Sequence, residues 1–168
     1  MPCKLCKQIG HNSRTCTTNN NIIVTSLEKK NYCYILQQTN KIKSLNYVGY
    51  TVNYNRRLRQ HCGIIKGGAR YTQNRGPWEF LAVLFCPSWN NIRALQVEWL
   101  LKHPTRKRKR PSCYNGSLGR IKSFIEIFDR IPKEEQIFLY VHPDFLSYAS
   151  SSNIKMYDNV TIVTELLF

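Results

Sequence analysis

Residues 78–85 read Trp-Glu-Phe-Leu-Ala-Val-Leu-Phe, an apolar run interrupted only by Glu79. The run is too short to span a bilayer, which takes about 20 apolar residues. A continuous apolar run of this length reads as a strand buried on both faces. Such a strand constrains everything around it: its backbone groups need strands beside it, and both its faces need cover.

The flanking sequence offers both. Tyr32-Cys33-Tyr34-Ile35-Leu36 and Tyr47-Val48-Gly49-Tyr50-Thr51 are β-prone runs joined by a polar connection over Lys41 to Asn46, which reads as a hairpin with a longish loop. Asn53 can cap a helix carrying Arg56, Arg57, Leu58 and His61. Gly63 to Gly76 is a Gly- and Arg-rich loop. Pro87-Ser88 can start a helix through Ala94, Leu95, Glu98 and Leu101 that Pro104 stops. Leu118, Ile121, Phe124, Ile125 and Phe128 recur at helical spacing across Ser117 to Ile131. Ile137 to Val141 reads as a last core strand, and the less legible tail from Ser147 can pack a strand over Asn159 to Phe168. The expected fold is α+β, a small, mainly antiparallel central sheet flanked by helices. The chain divides into a Cys/His module at 1–18, a linker at 19–30, a folded core with a helical extension at 31–146, and a tail at 147–168.

Charge narrows the partners. The 168 residues carry 25 Lys and Arg against 10 Asp and Glu, a net +15. The excess is localised: Asn53 to Lys122 holds 15 basic residues with only Glu79 and Glu98 as acids. Such a surface attracts a polyanion, and phosphate backbones bind it without regard to sequence. No apolar stretch reaches membrane-spanning length, and no lipidation motif or basic terminal helix suggests a membrane surface. The polar start, Met1 to Cys6, lacks the apolar core of a signal peptide, so an intracellular setting is expected. The seven cysteines are then reduced, which favours metal binding over a disulfide framework.

Cys3, Cys6, His11 and Cys16 follow C-x2-C-x4-H-x4-C. Zinc takes four N or S donors in a tetrahedron, and a segment this short has no core to fold around without metal. Gly10 allows the tight turn before His11. The spacing resembles the retroviral-type zinc knuckle, a module that grips single-stranded nucleic acid, and Lys4, Lys7 and Arg14 suit phosphate contact. Cys33, Cys62, Cys86 and Cys113 are scattered and read as small buried hydrophobes.

Several residues can carry chemistry. Two-metal phosphodiesterases need a carboxylate cluster, whereas the basic core offers only Glu79 and Glu98, so one carboxylate on one metal is the more plausible arrangement. Glu98 lies mid-helix among apolar neighbours, where a metal or an ion pair with a nearby Arg or Lys would explain it. Arg57 and His61 are spaced i, i+4 and share a helix face. Arg can clamp a phosphate oxygen, and His can move a proton or orient a tyrosine hydroxyl. Tyr34 and Tyr47 fall on the two hairpin strands.

Taken in order, Tyr34, then Tyr47-Val48-Gly49, then Arg57 and His61, then Glu98 on a later helix resemble the GIY-YIG nuclease superfamily. The eukaryotic branch that resolves branched DNA, the catalytic subunit of a structure-specific endonuclease complex, is similar over four segments: Tyr47 to Val52, Arg56 to His61, Gly76 to Glu79, and Ala94 to Trp99 through His103-Pro104. Gly68-Ala69-Arg70-Tyr71-Thr72 looks like the small bacterial members. The resemblance runs from about Tyr32 to Pro104, and more faintly through Leu118 to Val141.

What the resemblance implies is hydrolysis of DNA phosphodiester bonds in flaps, forks or junctions, during repair or recombination. Tyr34 and Tyr47 would bracket the attacking water, one serving as or supporting the general base. Arg57 would hold the scissile phosphate, His61 would assist the tyrosine network, and Glu98 would bind one Mg²⁺ or Mn²⁺. Arg59, Arg70 and Arg75 would contact the DNA backbone, and Glu79 would be structural. The run Arg106, Lys107, Arg108, Lys109 and Arg110 could extend the DNA surface or act as a nuclear address; nucleus or viral replication site is the expected location.

The chain departs from the pattern at three points. Tyr32 replaces the leading glycine of the first motif. The late asparagine of many members has no clear match, with Asn115 the candidate. No Cys/His cluster follows Cys113 to supply the branch's usual RING-type domain, which leaves a scaffold partner open and the knuckle as a substitute DNA-targeting module. Two rival functions stand beside this one: an inactive nucleic-acid-binding protein, and a sequence-directed nuclease of the mobile-element kind.

Overall fold

The computed structural model describes residues 30–39, 45–151 and 153–166. The expected zinc knuckle at 1–18, with its ligands Cys3, Cys6, His11 and Cys16, lies outside the described residues, as does nearly all of the linker at 19–30. Five strands form one sheet: β1 (Tyr32–Gln38), β2 (Asn46–Thr51), β3 (Trp78–Phe85), β4 (Ile137–Val141) and β5 (Val160–Val163). Their order is β2-β1-β3-β4-β5, so the apolar run takes the centre. Every pairing is antiparallel except β4 with β5. Five helices accompany the sheet: α1 (Tyr54–His61), α2 (Asn91–Lys102), α3 (Gly116–Lys122), α4 (Phe124–Phe128) and α5 (Pro143–Ser151). Among the described residues no helix is long and apolar enough to cross a membrane.

Strand alternation gives the sheet two different faces. Cys33 and Ile35 of β1 join Leu81 and Leu84 of β3 in an aliphatic core with Ala94, Val97 and Leu101 of α2 and with Phe124 and Ile127 of α4. Tyr32, Tyr34 and Leu36 point the other way and pack with Tyr54 of α1, Trp78 and Phe80 in an aromatic core. The β1–β2 hairpin and α1 meet on this aromatic side. The residue that replaces the motif's leading glycine, Tyr32, finds its space there, edge-on to Tyr54 at 5.1 Å between ring centroids.

Three sequence expectations change. The second helix starts at Asn91 rather than at Pro87-Ser88, because Trp89 is pulled inward, donating Nε1–H to Glu135 Oε2 at 2.6 Å. Asn90 then caps the helix, its side chain accepting from Arg93 N at 2.8 Å. The expected helix over Ser117 to Ile131 is two short helices. Ser123 interrupts it, its hydroxyl donating to Arg120 O at 2.8 Å and drawing that carbonyl toward itself. With this break Leu118 faces solvent while Arg120 is buried, capping the end of α2 through a bond to Leu101 O at 2.9 Å. Of the four scattered cysteines, Cys33 and Cys86 are buried as expected. Cys62 is only half-buried, and Cys113 is exposed in a 3-10 turn ahead of α3. The tail strand is present over Val160–Val163, and α5 runs across residues 146 and 147.

The orientation of α2 decides which way Glu98 points, and it can be tested by one substitution on each face. Leu101 is 0% exposed and Leu95 is 46% exposed. Leu101→Ala should cost about 2–5 kcal/mol in urea unfolding, whereas Leu95→Ala should stay within about 0.5 kcal/mol. Equal costs would mean a different helix rotation.

Candidate active site

The site is built around the Tyr34 hydroxyl. Tyr34 lies opposite Gly49 in the β1–β2 ladder. A Cβ on Gly49 would stand 2.3 Å from the Tyr34 Oη, so only glycine leaves room for the ring to lie across the neighbouring strand. The phenol thus reaches beneath α1. There Arg57 Nε donates to the Tyr34 oxygen at 3.1 Å, and His61 Nε2 is 2.8 Å from the same oxygen. The i, i+4 spacing of Arg57 and His61 places both on this one hydroxyl, as the shared helix face requires. Asn53 caps α1 by accepting from Arg56 N at 2.9 Å, which sets where the turn bearing Arg57 begins.

Tyr34 is 0% exposed. Burial pushes its pKa up, more than the nearby Arg57 guanidinium lowers it, so it remains a phenol. His61 is also buried, at 2% exposure. Burial first, and Arg57 second, hold its pKa down to about 4 from 6.5. It is therefore a neutral imidazole near neutral pH. Its other nitrogen, Nδ1, is 2.7 Å from Thr72 Oγ1. In the sequence Thr72 carries no signal beyond its position in Gly68-Ala69-Arg70-Tyr71-Thr72.

Tyr47 is half-buried and open toward solvent, unlike Tyr34. Its ring centroid is 4.8 Å from that of His61 and 6.3 Å from that of Tyr34. On its far side it stacks with Tyr71 at 6.2 Å, and Arg75 lies over the Tyr71 ring at 4.7 Å. The two hairpin tyrosines, Arg57 and His61 thus form one cluster. Arg57 Nη1 also donates to Gln60 Oε1 within α1 at 3.0 Å and to Gly67 O of the following loop at 3.1 Å.

Glu98 is half-buried on α2, and its negative charge contributes to the raised pKa of Tyr34. It pairs with Lys102 Nζ at 2.9 Å, the ion pair that stands as the alternative to a metal. Among the described residues no three His, Cys, Asp or Glu side chains cluster to hold an ion. Magnesium keeps several waters and takes one or two carboxylates from protein, so a lone carboxylate fits that ion's demand, with Lys102 as its competitor. Glu79 accepts from Gln37 Nε2 at 2.9 Å and lies 3.5 Å from His142 Nε2, a structural arrangement.

The basic residues divide by position. Arg59, Arg70 and Arg75 are exposed around α1 and its following loop. Arg106, Lys107, Arg108 and Lys109 are exposed on the loop after α2. Arg110 departs from its neighbours: it is half-buried and donates to Lys102 O at 3.2 Å, capping α2. Asn115 is exposed at the start of α3 and makes no side-chain cap bond.

The neutral state of His61 has a thermodynamic consequence. The unfolded chain takes up this proton near pH 6.5 and the folded chain only near pH 4. Between these values the unfolded state binds more protons, so the stability from a neutral His61 is full above about pH 6.5 and declines as pH falls toward 4. His61→Gln should flatten the pH slope of the unfolding free energy across this window; an unchanged slope would mean His61 is not held neutral.

Residues 30–111 match the family model for the GIY-YIG catalytic domain. Structure-specific endonuclease subunits are also similar to this chain. The SLX1 homologue of Brugia malayi is 40% identical over 80 residues, 46% of this chain and 24% of that protein. The slx1 protein of Botryotinia fuckeliana is 32% identical over 159 residues, 79% of this chain and 37% of that protein. The slx1 protein of Xenopus laevis is 44% identical over 78 residues, 45% of this chain and 27% of that protein. The chain spans between 17% and 37% of the length of the first curated relatives it matches. Tyr34, Tyr47, Arg57, His61 and Glu98 all fall within the stretch that matches the GIY-YIG catalytic domain.

Proposed function

We propose that this chain is a metal-dependent, structure-specific endonuclease that hydrolyses phosphodiester bonds in branched DNA. The observation that carries the reading is the shared Tyr34 hydroxyl, held by Arg57 on one side and a neutral His61 on the other. Hydrolysis of a phosphodiester needs a proton acceptor for water and a cation for the phosphate. These two groups supply both within hydrogen-bond reach of one phenol. The similarity to structure-specific endonuclease subunits supports a substrate chosen by shape and a partner subunit. The net charge of +15 supports a polyanion.

Each residue then has a part. Arg57 takes the scissile phosphate and stabilises the charge that grows on it. Because Arg57 also covers Tyr34, its move to the phosphate uncovers the Tyr34 oxygen for the attacking water, and Tyr47 lines the water's other side. His61 assists Tyr34. Glu98 holds a single Mg²⁺ or Mn²⁺, which when bound would neutralise charge near the leaving oxygen. Arg59, Arg70, Arg75 and the loop from Arg106 to Lys109 track the DNA backbone. Residues 1–18 fold around zinc through Cys3, Cys6, His11 and Cys16 and steer the chain to single-stranded or branched DNA; the support is their spacing alone. The protein works inside the cell, in the nucleus or at a viral replication site, where the basic run suits a nuclear address.

Fluorescent flap and four-way-junction DNA, incubated with Mg²⁺, Mn²⁺ or EDTA, tests the chemistry. The wild type should cut near the branch only with metal, and Glu98→Gln should lose about 100-fold or more in rate while still binding. Binding without cutting in any metal would instead favour a nucleic-acid-binding protein without activity. Removing residues 1–18 should weaken affinity for branched DNA by about tenfold, a loss of about 1.4 kcal/mol, and leave cutting of bound DNA intact; unchanged affinity would take the targeting role from the knuckle.

A further inference from the structure

The hydrogen bonds beneath α1 form a chain whose direction is set at its two ends. At one end, Arg57 Nε can only donate, so it occupies a lone pair of the Tyr34 oxygen. At the other, the Ala69 carbonyl can only accept, and it lies 2.9 Å from Thr72 Oγ1. A hydroxyl has one hydrogen. Pointing it anywhere else would set two oxygen lone pairs against each other at that distance, so Thr72 donates to Ala69 O. Thr72 Oγ1 is then an acceptor toward His61, and His61 Nδ1 carries the ring's hydrogen at 2.7 Å. The lone pair of His61 is left on Nε2, facing the Tyr34 hydroxyl at 2.8 Å.

We propose that Thr72 is a positioning residue that fixes His61 in the Nδ1–H tautomer, so that His61 Nε2 is the acceptor for the proton of Tyr34. The proposal rests on the endonuclease reading for its consequence in catalysis, but the tautomer itself is a property of the folded protein. In the step it serves, a water O–H bond breaks and that proton joins the Tyr34 oxygen. The Tyr34 O–H bond breaks in turn, and its proton forms the Nε2–H bond of an imidazolium. The resulting hydroxide bonds to phosphorus, the bond from phosphorus to the leaving sugar oxygen breaks, and that oxygen takes a proton from solvent. His61 returns its extra proton to solvent afterwards. With the opposite tautomer Nε2 would carry a hydrogen and could accept nothing.

The surrounding loop is built to hold Thr72 in place. It is 1% exposed. Its N–H donates to Ala69 O at 2.9 Å, and its carbonyl accepts from Trp78 Nε1 at 3.1 Å. Gly68 lies so close to α1 that a Cβ there would stand 2.4 Å from Gln60 O, which seats the loop directly on the turn carrying His61. Two adjacent glycines, Gly67 at φ +109° and Gly68, let the backbone make that approach.

The test pairs Thr72→Val, which keeps the shape and removes the acceptor, with Thr72→Ser, which keeps it. Uniformly ¹⁵N-labelled full-length protein shows the His61 tautomer directly, its signals identified by their loss in His61→Gln. Wild type and Thr72→Ser should show hydrogen on Nδ1, and Thr72→Val should show it moved to Nε2 or shared between the two nitrogens. With flap DNA and metal, Thr72→Val should lose about 10- to 100-fold in kcat with little change in DNA affinity, and Thr72→Ser should recover to within about threefold of wild type. Hydrogen on Nε2 in the wild type, or a Thr72→Val protein with unchanged tautomer and rate, would overturn the proposal. Should the wild type cut no DNA, the endonuclease reading fails, and the ¹⁵N spectra alone decide the role of Thr72.

Discussion

A phenol hydroxyl cut off from solvent must find its partners inside the protein, and the Tyr34 hydroxyl finds two of them on a single helix turn apart. Much of the architecture follows from meeting that requirement. The β1–β2 ladder must put a glycine opposite Tyr34, or the ring has nowhere to lie. The cap at Asn53 must start α1 in phase, so that Arg57 and His61 come down on the same oxygen. The loop after α1 must return closely enough to give His61 its second partner. One buried polar atom therefore ties two strands, a helix and a loop together. Losing any one of them would leave a polar group unsatisfied in an aromatic core, a cost of about 1–3 kcal/mol for each orphaned group.

Electrostatics around this centre are arranged in layers. The hydroxyl sits between a permanent cation and an imidazole that burial keeps uncharged. Farther out, exposed Arg59, Arg70 and Arg75 on one side, and the Arg106 to Lys109 loop after α2, spread positive charge over the surface. Acids are few here, and they are engaged: Glu98 with Lys102, and Glu79 with Gln37 and His142. Among the described charged groups, Arg57 bonds to the phenol and Glu98 acts on it through space. A phosphate approaching this face meets attraction at long range and a single clamping group at short range.

Packing and side-chain bonds override the local pattern at several points. Pro87-Ser88 has the local chemistry of a helix start, yet the helix waits until Asn91 because Trp89 is anchored to Glu135, 46 residues away in the chain. The spacing from Leu118 to Phe128 is helical by period, yet a side-chain bond from Ser123 splits it, and the packing of Arg120 onto the end of α2 turns Leu118 outward. Cys113 looks no different from Cys33 in sequence, but one lies in an exposed turn and the other is buried on β1. Arg110 belongs to a basic run by composition and to a helix cap by position. For Trp89 and Arg120 the deciding partner is distant in sequence, and no local pattern encodes it; the Ser123 bond is local, but helical spacing outweighs it when the sequence alone is read.

The amino-acid order by itself determined the central strand, the hairpin that flanks it, the helix capped by Asn53, and the presence of Arg57 and His61 on one face. These depend on apolar runs, β-prone residues, a capping side chain and helical spacing, all of which act over a few residues. The resemblance carried by Tyr34, Tyr47-Val48-Gly49, Arg57, His61 and Glu98 was legible for the same reason: the motifs are short and come in a fixed order. Only the tertiary structure decided that Tyr34 is sealed while Tyr47 faces water, that Glu98 is paired with Lys102, and that Thr72 stands behind His61. Burial and hydrogen-bond direction are set by segments that meet only after the sheet has closed and the loop has come down on α1.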